Sequence, residues 1–385
     1  MNQIECLVIG GGLAGAMAAM RLARAGREVL LLEKECVALH KVCGEFLSPE
    51  AVAYLREAGV DPLQLGAERI RRLRLAAKEQ CVQAMLPFEA LSLSRKVLDE
   101  ALLMRAMKEG CAVRCGAAVE RLVREGDGWR AEVAAGEVVR SRVVFLATGK
   151  HDVRGWRREV KSFHARNDFA GFKLHWRLKA EQAAALRDAM ELFLFRGGYG
   201  GVSLVEEGTA NLCLVVRRAV LREAGGWSEL LGLICASNGQ LRTRLEGAEP
   251  AWERPLAIGW IPYGYCASEH EGLWRMGDQA AVIPSFTGDG MAIALHSGVL
   301  AAEMYLAGES AEEYQRRLAM QLRQGMRLAG VVSRAMVSPA GQRLALGLLP
   351  ALPPAMRWIA GRTRIPLQAL LTAQPAFSVS SAQRA

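Results

Sequence analysis

A short apolar run from Ile4 to Ile9 meets Gly10, Gly11 and Gly12, and a stretch free of proline then leads to a second apolar run, Val29 to Leu32, closed by Glu33. That pattern predicts a strand, a tight turn, a helix and a second strand. Ser48 and Pro49 supply an N-cap side chain and an N1 proline for a further helix. Arg69 to Ser94 alternate apolar and polar without a helical period, which predicts strands that leave the first domain. Arg95 opens a helix with Val97, Leu98, Ala101, Leu102 and Met104 on one spacing and Gly110 as its stop. Strands with turns at Gly116, Gly126-Asp127-Gly128 and Gly136 follow, and the last of them ends in the small residues Ala147-Thr148-Gly149. From about Phe163 to Ala267 the chain breaks into separate strand-like runs: FAGFKLHWRL, ELFLF, GVSLV, ANLCLVV and PLAIGWIPYG. Glycines 197, 198, 200 and 201 surround Tyr199, as a tight turn or a close backbone approach requires. A strand into Gly277-Asp278, a loop with Pro284, Gly288 and Gly290, and a long helix come next, and amphipathic helices are expected from about Ser310 onward.

The glycine turn carries the first chemistry. Gly10, Gly12 and Gly15 satisfy G-x-G-x-x-G between a strand and a helix. The first lets the chain turn, the second admits a pyrophosphate against bare backbone, and the third lets helix and strand pack closely. The helix N-terminus then aims unpaired N–H groups at phosphate. Glu33 stands where a carboxylate ending the second strand accepts hydrogen bonds from an adenosine ribose. A dinucleotide site is the reading, against a merely tight turn.

Composition narrows the remainder. A chain of 385 residues with 51% hydrophobic content supports a sizeable core. Nine cysteines without a C-x-x-C pair, and a core strand at the N-terminus with no room for a signal peptide, lead us to expect a cytoplasmic location. The net charge of +9 suggests nucleic acid at first, but ten arginines and no acid lie between Tyr314 and Ala385, so the remainder sums to −1. No zinc-ligand spacing or RNA-binding motif accompanies the tail, and no nucleic-acid partner is expected. His151, His175 and His296 stand isolated, His164 and His175 are too far apart for a zincin pair, and no metal site is expected. A hydrolase elbow G-x-S-x-G is absent.

Three separated stretches agree on a family. The glycine turn with Glu33, the strand into Ala147-Thr148-Gly149, and Gly277-Asp278 followed by Pro284, Gly288 and Gly290 together resemble the FAD-binding superfamily of aromatic hydroxylases and geranylgeranyl reductases, over about residues 1 to 305. Within it, Lys41-Val42-Cys43-Gly44-Glu45 resembles the Cys-Gly loop of geranylgeranyl-reductase-like proteins, and Thr287-Gly288-Asp289-Gly290-Met291 resembles their T-G-E-G-I. The resemblance implies α/β architecture: a Rossmann-like FAD-binding domain (1–68, 95–160 and 269–309), an inserted β-sheet substrate domain (69–94 and 161–268) and a helical C-terminal region (310–385). It implies FAD as cofactor and NAD(P)H as reductant. Ala14, Glu33 and Lys34 would serve the ADP half, and Val119 would give backbone bonds to adenine. Gly44 and Glu45 would lie along the flavin, and Arg95 would meet the phosphate or ribityl region. Asp278, Gly288, Gly290 and Met291 would hold the ribityl chain and flavin, and Cys43 is a candidate for the flavin face.

The reaction stays open between classes. A monooxygenase using NAD(P)H and O2 on a hydrophobic small molecule is the first expectation. A reductase of carbon-carbon double bonds is the alternative that the Cys-Gly loop favours, and a non-catalytic flavin-binding redox module is the third. Residues 150–154 lack the D-G-x-x-S-x-V-R of hydroxylases, and Trp260-Ile261-Pro262 lacks the first Trp of the W-x-W-x-I-P of flavin halogenases. The Arg-rich, acid-free tail, with leucines and Trp358 among Arg343, Arg357, Arg362 and Arg364, is expected to be either a helical cap on the FAD domain or a peripheral contact with the inner face of a membrane.

Overall fold

The computed structural model describes residues 3–158, 168–268, 271–347 and 352–372. In chain order, β1 (Ile4–Ile9), α1 (Leu13–Arg24), β2 (Val29–Leu32), β3 (Phe46–Leu47) and α2 (Pro49–Glu57) come first. They lead to β4 (Glu68–Ala77), β5 (Gln80–Ser92), α3 (Arg95–Lys108), β6 (Ala112–Arg114), β7 (Val119–Glu125), β8 (Gly128–Val133) and β9 (Glu137–Leu146). After β10 (Phe169–Arg177) and α4 (Ala180–Leu186) come β11 (Asp188–Phe195), β12 (Gly198–Leu204) and β13 (Ala210–Arg217). Then follow α5 (Arg218–Ala224), α6 (Trp227–Ser237), α7 (Gly239–Leu245), β14 (Glu249–Pro250), β15 (Leu256–Ile258) and β16 (Trp274–Arg275). The C-terminal helices are α8 (Gly290–Leu306), α9 (Ala311–Val337), α10 (Pro339–Gly347) and α11 (Leu352–Arg362).

The strands form two sheets. The first has the order β6-β2-β1-β9-β8-β7, with β16 added to β9. Its β2, β1, β9 and β16 run parallel, and in an open sheet of this kind a ligand sits beyond the carboxyl ends of the strands. Helix α1 is buried almost all round, and its alanines, 16, 18 and 19, let it nest against α3 and α8. Gly298 brings α8 so near that a Cβ there would overlap the Ala14 carbonyl oxygen. The fold is the mixed α/β arrangement that the pattern predicts, with the strands of 68–92 and 169–258 in the other sheet.

That second sheet has the order β14-β10-β13-β12-β11-β4-β5-β3, with β15 on β10. Period-two alternation gives it two apolar faces. Phe172, Leu174, Phe193, Phe195, Leu212 and Leu214 pack with Leu230, Ile234 and Leu241 of α6 and α7. The alternate residues of β11, Met190, Leu192 and Leu194, face the opposite way into a cavity. The expected strand PLAIGWIPYG is a correction: only Leu256–Ile258 is extended in the sheet. Gly259, Pro262 and Gly264, the last at φ 85°, interrupt it, and proline lacks the N–H a ladder needs. The boundary expected at 160/161, His164 and Arg384 lie outside the described residues.

The C-terminal helices close over the second face. Helix α9 buries Tyr314, Leu318, Leu322, Ala329 and Val337 on one stripe. Tyr314 Oη donates to the Arg275 carbonyl at 2.9 Å, tying α9 to β16. No described helix is long and apolar enough to cross a membrane.

Candidate active site

The phosphate end is built around three glycines. Gly10 has φ 105°, and a Cβ there would overlap the carbonyl oxygen of Ala147, so the small-residue exit of β9 and the turn after β1 fit one another. A Cβ on Gly15 would overlap the Gly10 carbonyl oxygen and stand 3.2 Å from Ala147 Cβ. Gly12 is different: a Cβ there would meet only Arg95 Nη2 at 3.4 Å and Lys41 Nζ at 3.8 Å. The open space at the N-terminus of α1 is thus flanked by two cations, the donor set a pyrophosphate requires. Arg95 is held there by a two-pronged contact with Asp99, Nε–Oδ1 2.7 Å and Nη2–Oδ2 2.9 Å, while Lys41 Nζ reaches Asp99 Oδ2 at 2.7 Å. Burial would raise the Asp99 carboxyl and lower Arg95, yet their mutual attraction prevails and keeps both charged.

Glu33 lies half-buried at the end of β2. Its Oε2 accepts from Gly11 N at 2.6 Å and its Oε1 from Glu35 N at 3.1 Å, so it shapes the glycine turn as well as facing the nucleotide end. Ala117 N donates to the Glu33 carbonyl at 2.9 Å and brings the segment before Val119 beside it. Val119 opens β7 opposite Val133. Ala14 is buried between Gly277 and Gly298, leaving only its backbone for a ligand. Lys34 is exposed and pairs with Glu35 at 3.2 Å.

The residues expected at the flavin meet at a cavity of about 350 Å³. Cys43, Gly44, Glu45, Arg95, Asp278, Gly288, Gly290 and Met291 all line it. Asp278 follows Gly277, whose N–H donates to Ser297 Oγ at 2.9 Å and fixes the turn after β16. Gly288, at φ 72°, passes so near Phe46 that a Cβ would overlap the ring. Gly290 and Met291 begin α8, so its N–H groups face the cavity. These residues fit the isoalloxazine and ribityl parts of FAD, and the glycine turn fits its pyrophosphate. Gly10, Gly12, Ala14, Gly15, Glu33, Lys34 and Val119 lie outside the cavity, on the nucleotide side.

The rest of the cavity is largely apolar, with Lys150, Thr363 and Arg364 among its lining. Leu73, Leu75, Leu86, Met190, Leu192 and Leu194 form a wall from the second sheet. Val332, Ala335 and Met336 of α9 and Ala355, Met356, Ile359 and Ala360 of α11 form the roof. A cluster of hydroxyls lies among these side chains: Tyr263 Oη donates to Ser285 Oγ at 2.8 Å, and Tyr199 Oη lies 3.3 Å from the same oxygen. Burial raises both phenols, so they stand as neutral hydroxyls.

Sequence reasoning missed the partners of Glu45. This residue is fully buried, with Lys173 Nζ and Arg95 N (2.8 Å) on Oε1 and His175 Nε2 at 2.9 Å from Oε2. Burial alone would raise its carboxyl, but Lys173 and His175 outweigh it and hold it below the usual range. The signal was present in FAGFKLHWRL, where Lys173 and His175 stand two apart in an apolar strand and so share one face. Also missed was Arg364, which follows α11 and reaches Asp289 in the flavin loop at 2.7 Å. Among the described residues, His40, Glu45 and His175 bring possible metal-ligand atoms within 4.8 Å of one another. Lys173 already supplies the positive charge at that carboxylate, so the group reads as an ion-pair cluster.

Comparison with known proteins agrees with the geometry. Residues 3–145 match the family described as FAD binding domain. The chain is 26% identical to digeranylgeranylglycerophospholipid reductase 2 of Methanopyrus kandleri over 339 residues, covering 81% of this chain and 78% of that protein. It is also 26% identical to menaquinone reductase of Mycobacterium tuberculosis over 353 residues, covering 85% and 83%. Among solved structures, the myxobacterial chondrochloren halogenase CndH superposes with a TM-score of 0.74 at 22% identity, covering 94% of this chain and 91% of that one. At that identity the likeness is one of fold.

Proposed function

We propose that this FAD-dependent oxidoreductase, of the superfamily that holds aromatic hydroxylases and geranylgeranyl reductases, reduces a carbon-carbon double bond in a long apolar substrate. The observation that carries the reading is the continuity of one cavity from Cys43, Gly44, Asp278 and Gly290 to a wall of leucines and methionines. Two relatives that span most of the chain are reductases, which sets this reading ahead of hydroxylation.

Bound FAD would supply hydride transfer, with NAD(P)H as the source of its two electrons. The chain's own residues orient and enclose. The α1 N-terminus, Arg95 and Lys41 would hold the pyrophosphate, Asp278 would accept from the ribityl hydroxyls, and the α8 N-terminus at Gly290 and Met291 would favour negative charge beside it. Leu73, Leu192 and Leu194 align the apolar chain and exclude water. Each double bond would take up one hydride, its electrons coming from NAD(P)H, and one proton drawn ultimately from solvent, becoming a saturated pair of carbons. The hydroxyl cluster of Tyr199, Tyr263 and Ser285, with Lys150 and Arg364, supplies polar groups along the cavity that a substrate's oxygenated end would meet.

A substrate of this kind resides in a lipid phase. Arg357 and Trp358 are exposed on α11, with Trp358 55% accessible and Arg362 stacked over its ring at 5.7 Å. Met356 and Ile359 of the same helix turn into the cavity. That arrangement supports uptake from an anionic membrane surface at its cytoplasmic side.

The test is anaerobic incubation with NAD(P)H and a panel of lipids and quinones bearing unsaturated apolar chains, read by mass spectrometry. Gain of one H2 per double bond without oxygen is the expected result. Product that needs O2 and gains one oxygen atom would return the reading to a hydroxylase. Flavin reduction with no product from any substrate would favour the redox module.

A further inference from the structure

The Cys-Gly loop has its densest anchor at one residue. Glu45 has φ 58°, a left-handed backbone that a non-glycine residue adopts only when its surroundings hold it there. Every polar group it owns is engaged. Its carboxylate takes Lys173, His175 and the Arg95 N–H. Its carbonyl accepts from Ser92 Oγ at 3.0 Å and from Leu93 N at 3.2 Å. Its own N–H donates to Cys43 Sγ at 3.4 Å. The neighbouring carbonyls are tied to the same surroundings, since Asn211 Nδ2 donates to Cys43 O at 3.2 Å and Lys150 Nζ donates to Val42 O.

Lys173 and His175 belong to β10 and Asn211 to β13, adjacent strands of the second sheet. The loop itself leads out of the first sheet, after β2. The position of the Cys43 sulfur is therefore set by the sheet that forms the substrate wall, through a carboxylate buried between the two. An exposed polar connection would need no such arrangement, because a buried charge is tolerated only when its partners are complete.

We propose that Glu45, clamped by Lys173 and His175, is the positioning device that places the Cys43 thiol at the junction of flavin and substrate, with Lys173 and His175 as positioning residues. Its link to a flavin junction rests on the proposed function, whereas the clamp itself is a property of the protein in any reaction. Loss of the clamp releases the left-handed turn and withdraws the N–H from Cys43 Sγ, leaving the loop on the substrate sheet through the Asn211 and Ser92 contacts.

The experiment measures iodoacetamide labelling of each cysteine in the FAD-bound protein by peptide mass spectrometry, without turnover. Exposed Cys36 and Cys115 and buried Cys6 and Cys111 serve as internal references. His175→Leu and Lys173→Met are expected to raise the labelling rate of Cys43 at least fivefold while Cys6 and Cys111 stay protected. His175→Gln, whose amide can still donate to Glu45, is expected to restore the slow rate. If Lys173→Met does not fold, the His175→Leu and His175→Gln pair decides alone. An unchanged Cys43 rate in His175→Leu overturns the proposal. A parallel rise at Cys6 and Cys111 also overturns it, since the cluster would then only hold up the fold. Both readings stand whether or not a double bond is reduced.

Discussion

Gly12→Ala and Gly15→Ala are predicted to fail in different ways, and the contrast tests where the cofactor runs. At Gly15 the new methyl overlaps the Gly10 carbonyl oxygen and presses Ala147 Cβ at 3.2 Å, both of them core atoms that cannot rotate away. Helix α1 must lift from β1, and overpacking of this kind costs about 1–3 kcal/mol. At Gly12 the methyl meets Arg95 and Lys41 only at 3.4 and 3.8 Å, and the backbone, at φ −74°, suits alanine. The small N-cap preference for glycine is offset by the reduced freedom of the unfolded chain, so stability should change by less than about 1 kcal/mol. The methyl does occupy the space between those cations and the helix N-terminus. Losing one charge-assisted phosphate contact costs about 1.5–3 kcal/mol, or roughly 10- to 150-fold in affinity. Thermal unfolding of the apoprotein followed by circular dichroism, and FAD titration by fluorescence quenching, read the two quantities separately. A Gly12→Ala protein that binds FAD within twofold of the parent would refute the placement of the pyrophosphate over Gly12.

Three further outcomes are expected. Asp278→Ala should lower FAD affinity by a comparable factor, about 1.5–3 kcal/mol, with little change in apoprotein stability, and full flavin occupancy after dialysis would show that the carboxylate does not hold the ribityl chain. Burial, only partly offset by Arg364, pushes the Asp289 carboxyl up to about 6. The fold therefore binds that proton more tightly than the unfolded chain does, and the associated stability is complete below about 4 and lost as pH rises through about 6. Arg364→Leu removes the compensation, so the gap in Tm between parent and variant should widen from pH 5 to pH 8, and a pH-independent gap would count against the pairing. Finally, the protein should co-sediment with anionic vesicles at low salt but not with neutral ones, with at least a threefold weakening in Arg357→Gln/Arg362→Gln; indifference to lipid charge would leave α11 as a cap alone.

Much of this architecture was legible because local chemistry and final position coincide. The strand before Gly10, the Ser48 cap and the glycine loop at Gly288 each follow from what a single backbone conformation demands. Gly10 at φ 105°, and Gly288 pressed against Phe46, leave no room for a Cβ, so each turn calls for glycine in the sequence. What stayed hidden depends on contacts between residues far apart in the chain. Glu45 meets Lys173 and His175 across 128 and 130 positions, and Arg364 meets Asp289 across 75. No periodicity within one element specifies such partners. The alternation of Lys173 and His175 in a buried strand signalled that a counter-charge must exist, but not that it would come from the Cys-Gly loop. PLAIGWIPYG misled for the opposite reason: its apolar content reads as a strand, while its glycines and proline stop the ladder after Ile258.

The glycine turn and the apolar cavity come from parts of the chain under unequal constraint. The turn is fixed by Gly10 and Gly15, whose replacement collides with backbone, so drift there is penalised at once. The roof over the apolar cavity consists of Val332, Ala335, Met336, Met356 and Ile359, side chains on two helices whose size can change without touching the glycine turn. Lineages of such a protein can therefore explore new substrates by trading roof residues while the redox machinery stays in place. The substrate range of this architecture should vary far more readily than its cofactor, and residues 332–360 are where an engineer would begin.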